Sequence, residues 1–287
     1  MNIKSSSSHK NQEPENSVLY IVGTPIGNLN DLSSRAINIL KNVSLIACED
    51  TRQTKKIMSR YEFSNNLISF NKYNSQNKIP KIVNDLSSGK SIALVSDAGM
   101  PSICDPGEDL VKNVRFCGIS IVCIPGPCAA ITALVSSGLP SSKFIFEGFL
   151  PKKKSEREKI LFEISKNEKT TIIFESPHRL KRLLNELKVF CGGKREIEVS
   201  RELTKKFEEH IGNDINNVIK TFQEKEVIGE ITIVIKGVNK ESNLAINKSD
   251  LKKELNELIK AGLSLSAASK YLAKKNEIKK SVIYNLN

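Results

Sequence analysis

The chain has 287 residues and a formal net charge of +12, with 39% hydrophobic and 26% charged residues. This length is typical of two domains, and the apolar content excludes a disordered chain because it is enough to form a core. The six cysteines include no Cys-x-x-Cys pair and do not stand at metal-ligand spacing from the three histidines. We therefore expect no metal site, and reduced thiols in a cytoplasmic protein.

Two segments bear on whether the protein meets a membrane. Residues 1–17 lack an apolar run, so we expect a disordered extension and no secretory signal. Residues 116–142 carry no charge and are long enough to span a bilayer. Pro125, Gly126 and Pro127 interrupt this stretch, and they would leave backbone groups unsatisfied in lipid. A strand, a turn and a helix in water are expected instead, with no membrane contact.

The first half of the chain alternates short apolar runs with helical patterns. Leu32, Ala36 and Ile39 mark the inner face of a first helix, and Pro80 is expected in the first turn of another. The apolar runs predict strands at 18–22, 45–48, 67–70, 92–96 and 120–124. This alternation predicts an N-terminal α/β domain over residues 18–138, built on a mostly parallel sheet with helices on both faces.

A second α/β domain is predicted over residues 139–238. Ser155 and Glu158 have the spacing of a capping box, which predicts a helix that begins at Ser155. Apolar runs predict strands at 144–149, 171–174, 197–200 and 231–235. Residues 239–287 are expected to form a basic helical tail, since 11 Lys stand against 5 Asp and Glu from Lys236 onward. Such a tail suits RNA, although a solvated cap on the second domain fits equally.

Four loops that follow predicted strands in the first domain are rich in glycine, proline and small residues. They cover residues 23–29, 49–52, 97–101 and 125–130. Turn chemistry explains any one of them alone. In an open α/β sheet, however, ligands collect at the carboxyl ends of the strands. The four loops together therefore predict one ligand-binding cleft.

The chain is similar in sequence to a known family of enzymes. The motifs that carry the resemblance are LYIVGTPIGNL at 19–29, EDTR at 49–52, EGFLP at 147–151, ESPHR at 175–179 and RELTK at 201–205. Together they resemble the tetrapyrrole methylase superfamily and, within it, the ribosomal RNA small subunit methyltransferase I family of cytidine 2′-O-methyltransferases. The similarity extends over residues 18–237 and is weaker in the tail. The chain departs from the family pattern at Met100, where Thr is more common, and at Ile228, where Lys is.

The resemblance implies a homodimer of two-domain chains that act on small ribosomal subunit RNA. It implies that S-adenosylmethionine binds between the two domains. The residues that would border this cofactor are Pro25, Asp97, Ala98, Gly99, Cys128, Ala129 and Phe174 on one side and Glu230 and Ile231 on the other. Arg52, Arg201, Glu202 and Lys205 are expected to contact the substrate.

A ribose hydroxyl needs help to lose its proton before it attacks a methyl group. Glu175, His178 and Arg179 form the candidate catalytic cluster, although a structural ion pair between Glu175 and Arg179 fits the same pattern. Two other functions stay open at this point. One is C-methylation of a tetrapyrrole, which the superfamily fold also permits. The other is a non-catalytic protein that binds RNA or the ribosome.

Overall fold

The structure, a computed structural model, describes residues 13–238, 248–275 and 280–286. Residues 1–12 of the expected disordered extension, and 239–247, 276–279 and 287 of the predicted tail, lie outside these ranges. Residues 13–17 pack on the first domain. The Glu13 carboxylate forms an ion pair with Arg35 at 2.6 Å, and the backbone N–H of Glu15 donates to the Tyr20 hydroxyl at 2.8 Å.

The first domain is built on a parallel sheet of five strands in the order β3-β2-β4-β1-β5. The strands are β1 (Val18–Val22), β2 (Leu45–Cys48), β3 (Leu67–Ser69), β4 (Ile92–Val95) and β5 (Ser120–Ile124). The helices are α1 (Ser34–Asn42), α2 (Thr51–Arg60), α3 (Ser75–Ser87), α4 (Glu108–Phe116) and α5 (Ala129–Ser136). The prediction of a parallel α/β sheet is confirmed.

Helices cover both faces of this sheet because its central strands are apolar on both sides. In β1, Val18 and Tyr20 belong to the core under α1 and α2, whereas Leu19 belongs to the opposite core under α3 and α4. Side chains of neighbouring strand residues point to opposite faces, so a continuous apolar run serves both cores. Each fully buried aliphatic side chain contributes about 1.5–3 kcal/mol.

The second sheet is mixed and has the order β6-β7-β10-β8-β9. Its strands are β6 (Phe144–Phe149), β7 (Thr170–Glu175), β8 (Glu196–Arg201), β9 (Glu209–Asp214) and β10 (Ile231–Ile235), and only β6 and β7 pair in parallel. The helices α6 (Lys154–Lys166), α7 (Pro177–Cys191) and α8 (Ile215–Gln223) cover one face. The other face packs on the first domain, where Ala133 and Leu134 of α5 meet Ile172 and Val234.

The C-terminal helices form a small core of their own. They are α9 (Lys248–Lys260), α10 (Leu265–Lys275) and α11 (Lys280–Tyr284). Leu255, Leu272 and Ile283 are fully buried among them. The tail is therefore a packed helical unit over the residues described.

Two expectations from the sequence were wrong in detail, and one strand was not predicted. Helix α6 begins at Lys154, with Lys153 at the N-cap position and no side-chain cap, so Ser155 and Glu158 do not form a capping box. Glu158 instead pairs with Lys154 at 3.8 Å. Helix α3 begins at Ser75, so Pro80 lies inside it. Strand β9 has no counterpart among the predicted strands.

Residues 116–142 form β5, a loop and α5, and no helix in the described part of the chain is long and apolar enough to cross a membrane.

Candidate active site

A cavity of about 360 Å³ lies between the two domains, at the carboxyl ends of β4, β5, β7 and the start of β10. Its size falls within the range of small-molecule sites. Both domains contribute to its wall. The lining residues are Ile26, Ala98, Gly99, Met100, Ile103, Cys104, Asp105, Cys128 and Ala129 from the first domain and Phe149, Phe174, Glu175, Ser176, Pro177, Gly229, Glu230 and Ile231 from the second.

Glycines bring the loops of the first domain close together beside the cavity. The loop after β1 pairs with the loop after β4, since Thr24 and Gly99 exchange backbone hydrogen bonds of 2.9 and 3.1 Å. Gly99 has φ +79, which favours glycine. A Cβ on Gly23 would lie 2.7 Å from the Cα of Gly126, so side chains are excluded where these two loops touch.

The loop from Met100 to Asp105 folds back over the cavity with a strained backbone. Ser102 and Cys104 have φ values of +70 and +66, which non-glycine residues seldom adopt. Strain of this kind is retained where a site needs it. The result is that Ile103, Cys104 and Asp105 all face the cavity.

Aromatic rings form part of the second domain's wall. The Phe174 ring meets Phe146 edge-on, with the ring centres 4.9 Å apart and the planes at 72°. Phe149 lies 5.6 Å from Phe174 and is 58% exposed. Phe149 and Phe174 line the cavity. They give it an apolar face suited to a flat ring or a thioether.

The residues predicted to border the cofactor fall into two groups. Those that line the cavity are Ala98, Gly99, Cys128, Ala129, Phe174, Glu230 and Ile231. The other two, Pro25 and Asp97, are not in the lining. Pro25 is buried next to the lining residue Ile26, and Asp97 is exposed, with its carboxylate accepting the Asp50 backbone N–H at 2.9 Å.

The Glu175 cluster is held by ion pairs. The Glu175 side chain is fully buried and lies 2.6 Å from Nε of Arg179 and 3.3 Å from Nη2 of Arg157, which the sequence did not single out. Arg157 also contacts Glu186 at 2.5 Å. This network fixes the end of β7 against α6 and α7. His178 is exposed and does not line the cavity.

Three of the predicted substrate residues lie at the end of β8 and in the loop that follows it. They are Arg201, Glu202 and Lys205. Arg201 pairs with Glu209 at 3.1 Å and donates to the Ile228 carbonyl at 3.0 Å. Lys205 bridges Glu202 at 3.0 Å and Glu230 at 2.9 Å. The loop therefore joins β8 to the segment before β10 at the cavity rim.

Arg52, the remaining predicted substrate residue, lies apart from this loop at the start of α2. Its side chain is 85% exposed and contacts Asp50 at 2.5 Å. Hydrogen bonds from Arg52 lower the pKa of Asp50 to about 2. The structure thus brings Arg201, Glu202 and Lys205 together but leaves Arg52 on the first domain.

Three acidic side chains, Glu49, Asp97 and Asp105, lie near one another beyond β2 and β4. Burial raises the pKa of each, and the negative charges of neighbouring carboxylates add to the effect. Of the three, only Asp105 lines the cavity. It makes no ion pair with any residue that the structure describes, whereas the other lining carboxylates, Glu175 and Glu230, are paired with Arg and Lys.

The fold and this inter-domain cavity define a class of methyltransferases. The sequence profile described as "Tetrapyrrole (Corrin/Porphyrin) Methylases" matches residues 18–218. A solved structure of uroporphyrin-III C-methyltransferase from Thermus thermophilus, complexed with S-adenyl homocysteine, superposes with a TM-score of 0.53 and 14% identity. The match covers 75% of this chain and 96% of that chain. At this level of identity the likeness shows the fold.

Closer relatives share one name. Ribosomal RNA small subunit methyltransferase I of Bacillus subtilis is 46% identical over 231 residues, 80% of this chain and 79% of that protein. The protein of the same name from Synechocystis is 39% identical over 270 residues, 94% of this chain and 97% of that protein. The chain belongs to the tetrapyrrole methylase family and, within it, to the ribosomal RNA small subunit methyltransferase I enzymes.

Proposed function

We propose that this protein transfers a methyl group from S-adenosylmethionine to the 2′-hydroxyl of a cytidine ribose in 16S ribosomal RNA of the small subunit. The main support for this proposal is the similarity to ribosomal RNA small subunit methyltransferase I, which extends over almost the whole chain. The cavity between the domains supports the proposal by its size and lining.

The cavity fits S-adenosylmethionine. The backbone of Ala98 and Gly99 is open to a ligand because Gly99 has no side chain, and Phe174 and Ile231 supply apolar lining from the second domain. When bound there, the cofactor supplies an electrophilic methyl group on a sulfonium centre. The start of α5 completes the lining with Cys128 and Ala129.

Asp105 is the group best suited to take the proton from the attacking hydroxyl. It lines the cavity, lacks a cationic partner among the described residues and has a raised pKa through burial. A carboxylate in such surroundings accepts a proton more readily than one that is held by Arg or Lys. Glu175, by contrast, holds the second domain's wall in place through Arg157 and Arg179.

The substrate RNA is held chiefly through phosphates. The C-terminal segment carries a surplus of lysines, and a cation that neutralises a phosphate releases counterions. A single-stranded or splayed nucleotide is the expected substrate, because a ribose within a regular helix does not reach a cleft between two domains. We place the protein in the cytoplasm, where ribosomal subunits are assembled.

A homodimer is part of this proposal. Helix α5 buries Ala133 and Leu134 against the second sheet, yet Ile131 and Val135 on its outer side are 44% and 73% exposed. The neighbouring strand β5 is a sheet edge with Cys123 exposed. Apolar side chains at an uncovered edge favour association with a second copy.

Methylation of small ribosomal subunits with radiolabelled S-adenosylmethionine tests the function. The RNA is then digested to nucleosides, and the label is expected on the cytidine sugar, with the adjacent phosphodiester resistant to alkali. Label on a base would overturn the reaction. Labelling of a tetrapyrrole instead of RNA would favour the other branch of the family, and binding of RNA without any methyl transfer would favour a non-catalytic role.

A further inference from the structure

A second hollow lies beside the cofactor cavity, where the loop after β1 meets the loop after β8. Arg60, Lys205 and Lys206 line it together with residues 27–30 and Thr204. Three cations and no carboxylate stand in this lining. Arg60 donates to the Asn30 side-chain oxygen at 3.2 Å, and the Lys206 ammonium lies 5.5 Å from the centre of the Phe207 ring. Neither cation forms an ion pair with a carboxylate in the described part of the chain, so neither charge is neutralised there.

Residues of both domains line the hollow, and direct contacts join their loops. The Asn28 backbone N–H donates to the Thr204 hydroxyl at 3.0 Å, across the domain boundary. A Cβ on Gly27 would lie 2.5 Å from Lys205, so the loops touch directly. Glu202 and Thr204 have positive φ values of +53 and +66, and such backbone strain persists where its surroundings hold it.

An aromatic ring stands next to the hollow in an unusual setting. Phe207 is 66% exposed although its loop is fixed, and the Lys206 ammonium lies 5.5 Å from the centre of its ring. The Thr204 N–H donates to Glu208 at 2.9 Å, and the Glu208 N–H donates to the Lys205 carbonyl at 3.1 Å. These bonds hold the turn that presents Phe207 to solvent. An exposed ring beside a cation is a platform for a nucleobase.

The hollow also has a fixed position relative to the cofactor cavity. Lys205 lines the hollow, and its ammonium contacts Glu230, which lines the cavity, at 2.9 Å. An anion bound in the hollow would therefore lie next to Lys205, whose partner Glu230 lines the cavity. For a methyltransferase that acts on RNA, the substrate strand matches both features. Its phosphates match the cations, and its bases match the adjacent ring.

We propose that Arg60 and Lys206 bind backbone phosphates of the substrate RNA next to the methylated nucleotide, and that a neighbouring base stacks on Phe207. This inference rests on the proposed function and assigns the surface that positions the strand. Lys205 remains engaged with Glu202 and Glu230 and orders the loop rather than binding phosphate.

The test combines charge and ring variants with controls from the opposite face of the first sheet. The site variants are Arg60→Gln with Lys206→Gln, Phe207→Ala and Phe207→Tyr. The matched controls are Arg115→Gln and Phe116→Ala, because Arg115 is an exposed arginine in the last turn of α4 and Phe116 is 78% exposed beside it. For each variant, cofactor affinity is measured by calorimetry, and KM, kcat and salt-dependent affinity are measured with small-subunit RNA.

The double charge variant should raise KM, leave cofactor affinity unchanged and reduce the slope of log affinity against log salt by about 1.4, since each single-strand phosphate contact contributes about 0.7. Phe207→Ala should weaken RNA binding at least about fivefold. Phe207→Tyr should retain it, because the ring remains. An unchanged slope, or an equal loss in Arg115→Gln and Phe116→Ala, would overturn the inference. If the wild type does not methylate RNA, the proposed function itself fails.

Discussion

Thr24 and Gly99 pair through two backbone hydrogen bonds, and this short bridge ties the end of β1 to the end of β4 beside the cavity between the domains. The Thr24 hydroxyl strengthens the junction by donating to the Ser96 carbonyl at 3.2 Å. The backbone of Gly99 is thereby held in its left-handed conformation. This makes Gly99 the position at which cofactor binding is easiest to probe.

Replacement of Gly99 by Leu should abolish binding of S-adenosylmethionine. The new side chain would be forced into a left-handed backbone, and its Cβ would lie 3.4 Å from Ile26, on the wall of the cavity. Gly118→Leu is the control, because Gly118 has a similar φ of +70 but nothing within 4 Å. Both variants should lose about 1–2 kcal/mol of stability from backbone strain. Equal cofactor affinities by calorimetry would contradict the placement of the cofactor.

Arg157→Met should destabilise the second domain by about 3 kcal/mol. Arg157 is 3% exposed and pairs with Glu175, whose charge would be left buried with Arg179 alone. Removal of one partner of a buried pair costs about 3–5 kcal/mol, and the remaining arginine places this case at the lower end. Urea unfolding with an unchanged m value measures the loss. Arg182→Met is the control. Arg182 pairs with Glu186 at the surface, so a loss below about 1 kcal/mol is expected.

The first sheet could be predicted from the sequence because its strands are continuous apolar runs. Strand β9 could not, since Glu209, His210 and Asp214 give it the composition of a loop. It forms by backbone pairing with β8 at the edge of the sheet, where one neighbour is sufficient. Pairing of this kind leaves no apolar period in the sequence.

The site was predictable only where it follows strand ends. Gly99 and Cys128 lie in the loops that follow β4 and β5, and parallel strands bring their carboxyl ends to one edge. Asp105 lies further along a loop that turns back through left-handed residues without a glycine signal. Arg60 and Lys206 are distant in sequence. They line one hollow because the loops after β1 and β8 meet across the domain boundary, where the Asn28 N–H donates to Thr204.

The stability contributed by His210 should depend on pH. Burial lowers the pKa of His210, but hydrogen bonds to Glu208 and Glu198 outweigh burial, and the net pKa is raised. A raised folded pKa means that the stabilisation is complete below the unfolded value of about 6.5 and is lost as pH rises through the folded value.

Wild type and His210→Gln should therefore differ more in free energy of unfolding at about pH 6 than at about pH 9. Glu208 does not reverse this trend. Its pKa is lowered by the bond to His210, so its contribution is lost only as the pH falls well into the acid range. A difference that grows with rising pH would refute the assignment.

Val135→Glu should prevent formation of the proposed homodimer. Val135 is 73% exposed on the outer side of α5, and a carboxylate there would have to be buried against the second copy. Sedimentation equilibrium measures the mass. Val189→Glu is the control because Val189 on α7 is 79% exposed and belongs to no predicted interface. A wild type with the mass of one chain would end the dimer proposal.

Asp105→Asn should lower kcat by about 10²-fold or more while the affinity for S-adenosylmethionine stays within about threefold of the wild type, since loss of a general base costs about 10²–10⁴ in rate. Asn keeps the shape of the side chain and cannot accept the hydroxyl proton. In the wild type, kcat should rise with pH through the raised pKa of Asp105, because the carboxyl must be ionised to act. That acidic limb should vanish in the variant.

Asp109→Asn is the control for loss of one negative charge. Asp109 is an exposed carboxylate on α4, so this variant should match the wild type. If Asp105→Asn instead loses cofactor affinity in proportion to its rate, Asp105 binds the cofactor and the proton has another acceptor.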